Sequence, residues 1–286
     1  MQQREMKIAI AGAGLMGSGI AICSVLAGYK TLLFDINADA LQKGRDYIFS
    51  EIQKSAEKRR ISPSVAQEAM ALLSVSTNKE DLVADLILEA VLEKKEIKVD
   101  LFSALQMQNA ENCILATNTS SIPITQIAAP LKRPQNVVGI HFFNPAHIMK
   151  LVEIIAGAAT DEKIIDQANK WALSLGKTTV LAKDAPGFIV NRVARHYYVE
   201  GLKLAEEQLA DFKSIDRLCE SAGFKMGPFK LMDLIGVDTN FAVTSSMYEQ
   251  FQYDAKFRPN RIQKQKVDAG YHGRKTGKGF YDYENP

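Results

Sequence analysis

The chain has 286 residues, 47% of them apolar and 24% charged, and carries a net charge of +2. That length allows one large domain or two ordinary ones, each with a proper core, and the near-neutral balance excludes nucleic acid or a membrane surface as the main partner. Three cysteines (Cys23, Cys113 and Cys219) without a CxxC pair encode neither a disulfide framework nor a zinc knuckle, which fits a reducing cytoplasm.

The opening MQQREMKIAI reaches a strand pattern within seven residues and lacks the apolar core of a leader. No later run approaches the roughly 20 apolar residues of a membrane span. Next comes GAGLMGSGIA, a GxGxxG motif on Gly12, Gly14 and Gly17 that follows the first strand and opens a helix. The first glycine permits the tight turn, the second lets backbone approach a pyrophosphate, and the third lets helix pack on strand. Leu15 and Met16 lie inside this turn and are cofactor-binding candidates with the glycines. The second strand, TLLFDI, ends in Asp35, placed to accept hydrogen bonds from the adenosine ribose hydroxyls. An acid there repels a 2′-phosphate, so the expected cofactor is NAD rather than NADP.

A long helix from Asp39 follows, and LQKGRDYIFSEIQKSAEKRRIS sets six cations against three carboxylates in a nearly neutral protein. Lys54 and Lys58 share a helix face at i,i+4, where two ammonium groups repel unless an anion or solvent lies between them. A solvated basic face and a phosphate contact are both open readings. LLSVS, DLILEAV, CILATNT and NVVGIHF continue the alternation of apolar runs with helices. This wiring predicts a Rossmann-type α/β domain with a mostly parallel sheet, buried on both faces.

Polar residues cluster where these runs end: Glu93 after DLILEAV, then Asn118, Thr119, Ser120 and Ser121, then His141. Ligands of open α/β sheets lie at such carboxyl ends. For the two serines the competing reading is capping of the IPITQIA segment, with Ser121 the better cap. For His141 it is a satisfied core histidine, but KLVEII brings a second buried-looking group, Glu153. Imidazole beside a buried carboxylate is the arrangement that fixes a tautomer and raises basicity.

Past residue 186 the pattern turns helical, with Ser214 an expected N-cap and Gly223 and Gly270 expected stops. The expected boundary gives a domain over 1–185 and an all-α one over 186–286. GYHGRKTGKGFYDYENP reads as a loop and tail; its GRKTGKG lacks phosphate-loop spacing, and no histidine has metal-ligand spacing.

The motifs GAGLMGSGIA, ATNTSS, HFFNPA, MKLVEII, KDAPGFIVNR, MGPFKLMDLIGVD and GRKTGKGFYDY resemble, in order and spacing over nearly the whole chain, the 3-hydroxyacyl-CoA dehydrogenase family, and within it the bacterial 3-hydroxybutyryl-CoA dehydrogenases. The resemblance implies His141 as catalytic base, Glu153 as its orienting partner, Ser120 and Asn191 as hydrogen-bonding residues at the substrate, and Glu93 and Lys98 near the cofactor. It implies an acyl-CoA substrate, which gives Lys54 and Lys58 phosphates to hold, and a homodimer built through the helical half. One departure is His147 in NPAHIMK, where members more often have proline. The alternatives are an NAD-dependent dehydrogenase of a free hydroxy or sugar acid, a lysine-dependent β-hydroxyacid dehydrogenase, and a non-catalytic NAD-binding module.

Overall fold

The computed structural model describes residues 4–284, so the first three residues of MQQREMKIAI and the last two of the tail lie outside the described residues. The chain divides into two compact units, Met1–Ala185 and Pro186–Pro286.

The first unit alternates β1 (Arg4–Ala11), α1 (Leu15–Leu26), β2 (Tyr29–Phe34), α2 (Ala38–Glu57), α3 (Pro63–Ala71), β3 (Leu73–Ser76), β4 (Leu86–Glu89), α4 (Lys95–Gln108), β5 (Ile114–Thr117), α5 (Ile124–Ala128), β6 (Val137–Phe142), β7 (Leu151–Ala156), α6 (Glu162–Ser174) and β8 (Thr178–Lys183). The strands form one sheet in the order β3-β2-β1-β4-β5-β6-β7-β8. Every pairing is parallel except β6 with β7. Every residue of β4, β5 and β6 is buried, which is why these strands read as unbroken apolar runs. Ile10, Leu33, Leu88, Ile140 and Trp171 belong to the core that α1, α2 and α6 complete.

Local signals set most helix starts. Asn37 caps α2 by accepting from the Ala40 amide, so the helix starts at Ala38, one residue before the start expected at Asp39, and Ser62 caps α3 ahead of Pro63. The helix α5 is different. The expected serine cap is absent: α5 starts at Ile124, and Asp184 accepts from the Ile124 and Thr125 amides at 2.8 and 2.7 Å. A carboxylate 60 residues away in sequence does the work expected of Ser121.

The second unit packs α7 (Val190–Glu206), α8 (Phe212–Ser221), α9 (Pro228–Ile235), α10 (Val237–Gln250) and α11 (Arg261–Asp268) around Tyr198, Leu202, Ile215, Phe229, Met232, Val237 and Phe280. Ser214 is not the N-cap of α8. The cap is Asp211, which accepts from the Ser214 amide at 2.7 Å, so α8 begins at Phe212 and Ser214 lies inside its first turn. Gly223 and Gly270 follow the last turns of α8 and α11 at φ of +105° and +73°. The tail is not loose: Phe280 is buried in the helical core, and Asp233 accepts from the Phe280 and Tyr281 amides. Among the described residues no helix is long and apolar enough to cross a membrane.

Candidate active site

Strand order reverses between β1 and β4, and the glycine-rich turn sits at that switch point. Gly12, at φ +110°, hydrogen-bonds the Phe34 carbonyl, and a Cβ there would lie 2.5 Å from the Ala90 carbonyl oxygen. At Gly17 a Cβ would fall 1.8 Å from the Gly12 oxygen. Both positions are sterically closed to any larger residue. Gly14 differs, because a Cβ there would have no neighbour within 4 Å. It is also the N-cap of α1 and supplies no side-chain bond to the helix. An uncapped helix start beside open space is what a pyrophosphate requires, with the amides of the Leu15–Met16–Gly17 turn pointing at it. Asp35 accepts from the Ala13 and Asn37 amides, each at 2.9 Å, so the ribose-binding candidate also holds the glycine turn in place. These residues fit a dinucleotide.

The ends of β4 and β5 meet in a polar cluster. Glu93 Oε1 accepts from the Thr119 hydroxyl at 2.5 Å, the Ser120 amide at 3.0 Å, and the amide and hydroxyl of Ser121. Ser120 and Ser121 are therefore tied to Glu93, not to α5. Lys98, 1% exposed, lies between Glu89 at 2.6 Å and Glu93 at 3.0 Å. Glu89 is fully buried and also accepts from the Thr117 hydroxyl at 2.7 Å and the Val91 amide at 2.8 Å. Burial, the largest influence, pushes the Glu89 carboxyl above its ordinary range despite Lys98. Burial also acts to raise Glu93, but Lys98 and the hydrogen bonds from Thr119 and Ser120 together outweigh it and hold this carboxyl low. The sequence reading missed Glu89. Its signal was a charged residue inside the run DLILEAV, which in a strand buried on both faces must find a partner.

His141 and Glu153 face each other directly across the antiparallel β6–β7 ladder. His141 Nδ1 and Glu153 Oε2 are 2.7 Å apart, with the carboxylate fully buried and the imidazole 6% exposed. The Phe143 ring tilts against the imidazole at 4.6 Å. Asn118 Oδ1 accepts from the Phe142 amide at 2.9 Å, tying the end of β5 to the residue after His141. Asn118, Ser120, Glu93 and His141 thus lie at the carboxyl ends of three adjacent strands.

The remaining candidates belong to other elements. Lys54 is in the last turn of α2 and pairs with Glu51 at 2.8 Å, which meets part of its charge within the helix and leaves its side chain half exposed. Lys58 is the C-cap of the same helix. His147 reaches Glu51 at 3.6 Å. Asn191 belongs to the helical unit, in the first turn of α7. No group of histidine, cysteine or carboxylate side chains suited to a metal occurs among the described residues.

Residues 7–185 match the family model for the 3-hydroxyacyl-CoA dehydrogenase NAD binding domain, and residues 187–283 match that for its C-terminal domain. The chain belongs to the 3-hydroxyacyl-CoA dehydrogenase family. Its cofactor is NAD, and the glycine turn and Asp35 lie within the matched NAD binding domain. A 3-hydroxyadipyl-CoA dehydrogenase of Escherichia coli is 42% identical over 96% of this chain and 58% of its own length. A probable 3-hydroxybutyryl-CoA dehydrogenase of Bacillus subtilis is 38% identical over 97% of both. The crystal structure of an Escherichia coli 3-hydroxybutyryl-CoA dehydrogenase superposes with a TM-score of 0.95 at 42% identity, covering 98% of this chain and 60% of that one. The chain thus spans about three fifths of these two Escherichia coli proteins and nearly all of the Bacillus subtilis one.

Proposed function

We propose that the protein catalyses the NAD-dependent, reversible oxidation of short-chain (S)-3-hydroxyacyl-CoA esters, 3-hydroxybutyryl-CoA among them, to 3-ketoacyl-CoA. The observation that carries this reading is the 2.7 Å contact between His141 Nδ1 and the buried Glu153. A carboxylate there keeps the proton on Nδ1, so proton transfer at the substrate hydroxyl falls to Nε2. As Nε2 takes that proton the ring becomes an imidazolium, and Glu153 stabilises the charge across the ladder. In the reverse direction the same nitrogen returns the proton to the ketone oxygen. Bound NAD supplies the hydride acceptor. Asp35 binds its ribose, the Gly12–Gly17 turn its phosphates, and Glu93, Lys98 and Asn118 border the nicotinamide end. Ser120 and Asn191 hydrogen-bond the substrate, while Lys54 and Lys58 meet its phosphates. We assign residues 1–185 to the cofactor and 186–286 to substrate contacts and a homodimer interface.

A carboxylate-bound imidazole in an NAD-binding domain argues against a non-catalytic module. The deciding experiment follows NADH absorbance with acetoacetyl-CoA and with free acetoacetate. Turnover of the thioester alone is expected; turnover of the free acid alone would support the free-acid dehydrogenase, and NAD binding without turnover of either would leave a binding module. NAD is expected to exceed NADP in kcat/KM by at least about tenfold, or roughly 1.4 kcal/mol, because Asp35 and a 2′-phosphate carry like charges. Equal use of both would remove Asp35 from that role. Comparing C4 esters with 3-hydroxyadipyl-CoA, for which the first relative is named, ranks acyl chains.

A further inference from the structure

The connection from β6 to β7, residues 143–150, joins the strands that carry His141 and Glu153. It is too long for a tight turn to dictate strand register, as a two-residue hairpin loop does. Register is critical here. Side chains alternate faces along a strand, so a slip of one residue would carry Glu153 to the face opposite His141.

One cation gathers two carbonyls of this connection. Lys177 Nζ donates to the Ala146 carbonyl at 2.6 Å and to the Met149 carbonyl at 2.9 Å. The residue is 9% exposed, and no carboxylate pairs with it among the described residues. A buried ammonium is costly unless its donors are met, and here backbone carbonyls of one loop meet them. The residue is itself anchored to the sheet: Thr178, next in sequence, donates its amide to the Lys150 carbonyl at 2.8 Å and pairs with Leu151 at the start of β7. Against the other side of the loop lies α1, where a Cβ on Gly19 would stand 3.1 Å from that of Ala146, and the Cys23 thiol donates to the Ala146 carbonyl at 3.5 Å. Ala146 is thereby clamped between the cofactor helix and Lys177.

We propose that Lys177 is a positioning residue for the His141–Glu153 pair, acting through the carbonyls of Ala146 and Met149 to fix the connection between their strands. This rests on the dehydrogenase reading above. The test compares Lys177→Met, similar in length and without donors, with Lys177→Arg, which keeps charge and donors. Both are assayed as full chains well below their melting temperatures, with acetoacetyl-CoA and NADH. Lys177→Met is expected to lower kcat roughly 10- to 100-fold, the cost of misplacing a catalytic group by about an ångström. KM for both substrates should change by less than about threefold, since the loss lies in the chemical step. Lys177→Arg should recover most of the rate. Combined with Glu153→Gln, Lys177→Met should cost little beyond the worse single variant, because both act on one unit. A folded Lys177→Met with wild-type kcat, or losses that multiply in the double variant, would overturn the proposal. If Lys177→Met is insoluble, Lys177→Leu, also without donors, is read by the same outcomes. His141→Asn is assayed in parallel: if it retains wild-type kcat the dehydrogenase reading itself fails, whereas a rate loss there beside an unaffected Lys177→Met removes this inference alone.

Discussion

Glu153 and Glu89 in the sheet unit face titratable partners, His141 at 2.7 Å and Lys98 at 2.6 Å. Asp216 and Asp233 in the helical unit are as deeply buried, yet they face backbone amides and tyrosine hydroxyls. Asp216 accepts from the Phe229 and Lys230 amides and the Tyr281 hydroxyl at 2.7–3.0 Å, capping α9 from a distance. Asp233 accepts from the Phe280 and Tyr281 amides and the Tyr283 hydroxyl at 2.9–3.0 Å. These donors do not titrate near neutral pH. Burial, then Asp233, pushes the Tyr283 hydroxyl up to about 12, and burial and Asp216 move Tyr281 up as well. A carboxylate whose partners keep their protons can only hold structure, whereas one set against an imidazole can support proton transfer. Burial alone therefore does not mark a site; the partner does.

The sharpest way to break this distinction is to neutralise one carboxylate of each kind. His141→Asn removes the base and should lower kcat by roughly 10²- to 10⁴-fold. Glu153→Gln keeps size and a hydrogen bond but not the charge, and should remove a large part of the same factor. The double variant should be little worse than the poorer single one, as for residues acting as a unit. A near-wild-type Glu153→Gln, or fully multiplicative losses, would show that the 2.7 Å contact is structural, like those of Asp216.

Asp216→Asn should behave in the opposite way. It turns one acceptor into a donor that faces the Phe229 or Lys230 amide or the Tyr281 hydroxyl, at about 1–3 kcal/mol for a buried group left unsatisfied. Thermal melting should fall while kcat per folded molecule stays within about twofold, a surface-like effect on chemistry beside a core-like effect on stability. Loss of kcat without loss of stability would place Asp216 among the functional carboxylates.

How much of this was legible in the sequence depends on the reach of each interaction. The glycine turn and Asp35 are local, about one βαβ unit, and their spacing alone located them. His141 and Glu153 are twelve residues apart on neighbouring strands, so two apolar runs, each interrupted by one polar residue, were enough to pair them. The strand β8 was not read, because an edge strand with mixed exposure lacks the unbroken apolar run of β4 or β6. Asp184 reaching α5 over 60 residues, and Asp233 reaching the tail over 47, have no local pattern at all. Capping rules named the nearest serines, Ser121 and Ser214, and tertiary contact or a nearer aspartate supplied the donors' partner instead. Lys98 entered only through resemblance; its burial follows from α4 bringing it back between Glu89 at the end of β4 and Glu93 in the connection that follows, which spacing does not express.

The smallest expected effect separates Glu93, beside Lys98, from Asp233, in its amide cradle, by the sign of their pH dependence. Burial, the largest influence on Asp233, raises its carboxyl above the ordinary range even though the Phe280 and Tyr281 amides and Tyr283 pull the other way. A carboxyl raised on folding contributes stability in full below its unfolded value near 3.9 and loses it as pH rises through the folded value. Glu93 is held low, so its contribution is present above its unfolded value near 4.3 and is lost as pH falls. With its side chain 39% exposed, solvent screening keeps that contribution small. Thermal melts carried from pH 7 down to about 3 should therefore move in opposite directions. The stability of wild type relative to Asp233→Asn should grow toward acid, on top of a pH-independent offset from the mismatched amide, while its stability relative to Glu93→Gln should shrink. Each kcal/mol corresponds to roughly 4–8 °C in Tm for a unit the size of the helical one and roughly 2–4 °C for one the size of the sheet unit. Parallel slopes for the two variants would mean that the Lys98 side of Glu93 and the amide cradle of Asp233 treat charge alike, and would remove the electrostatic basis for separating the two kinds of site.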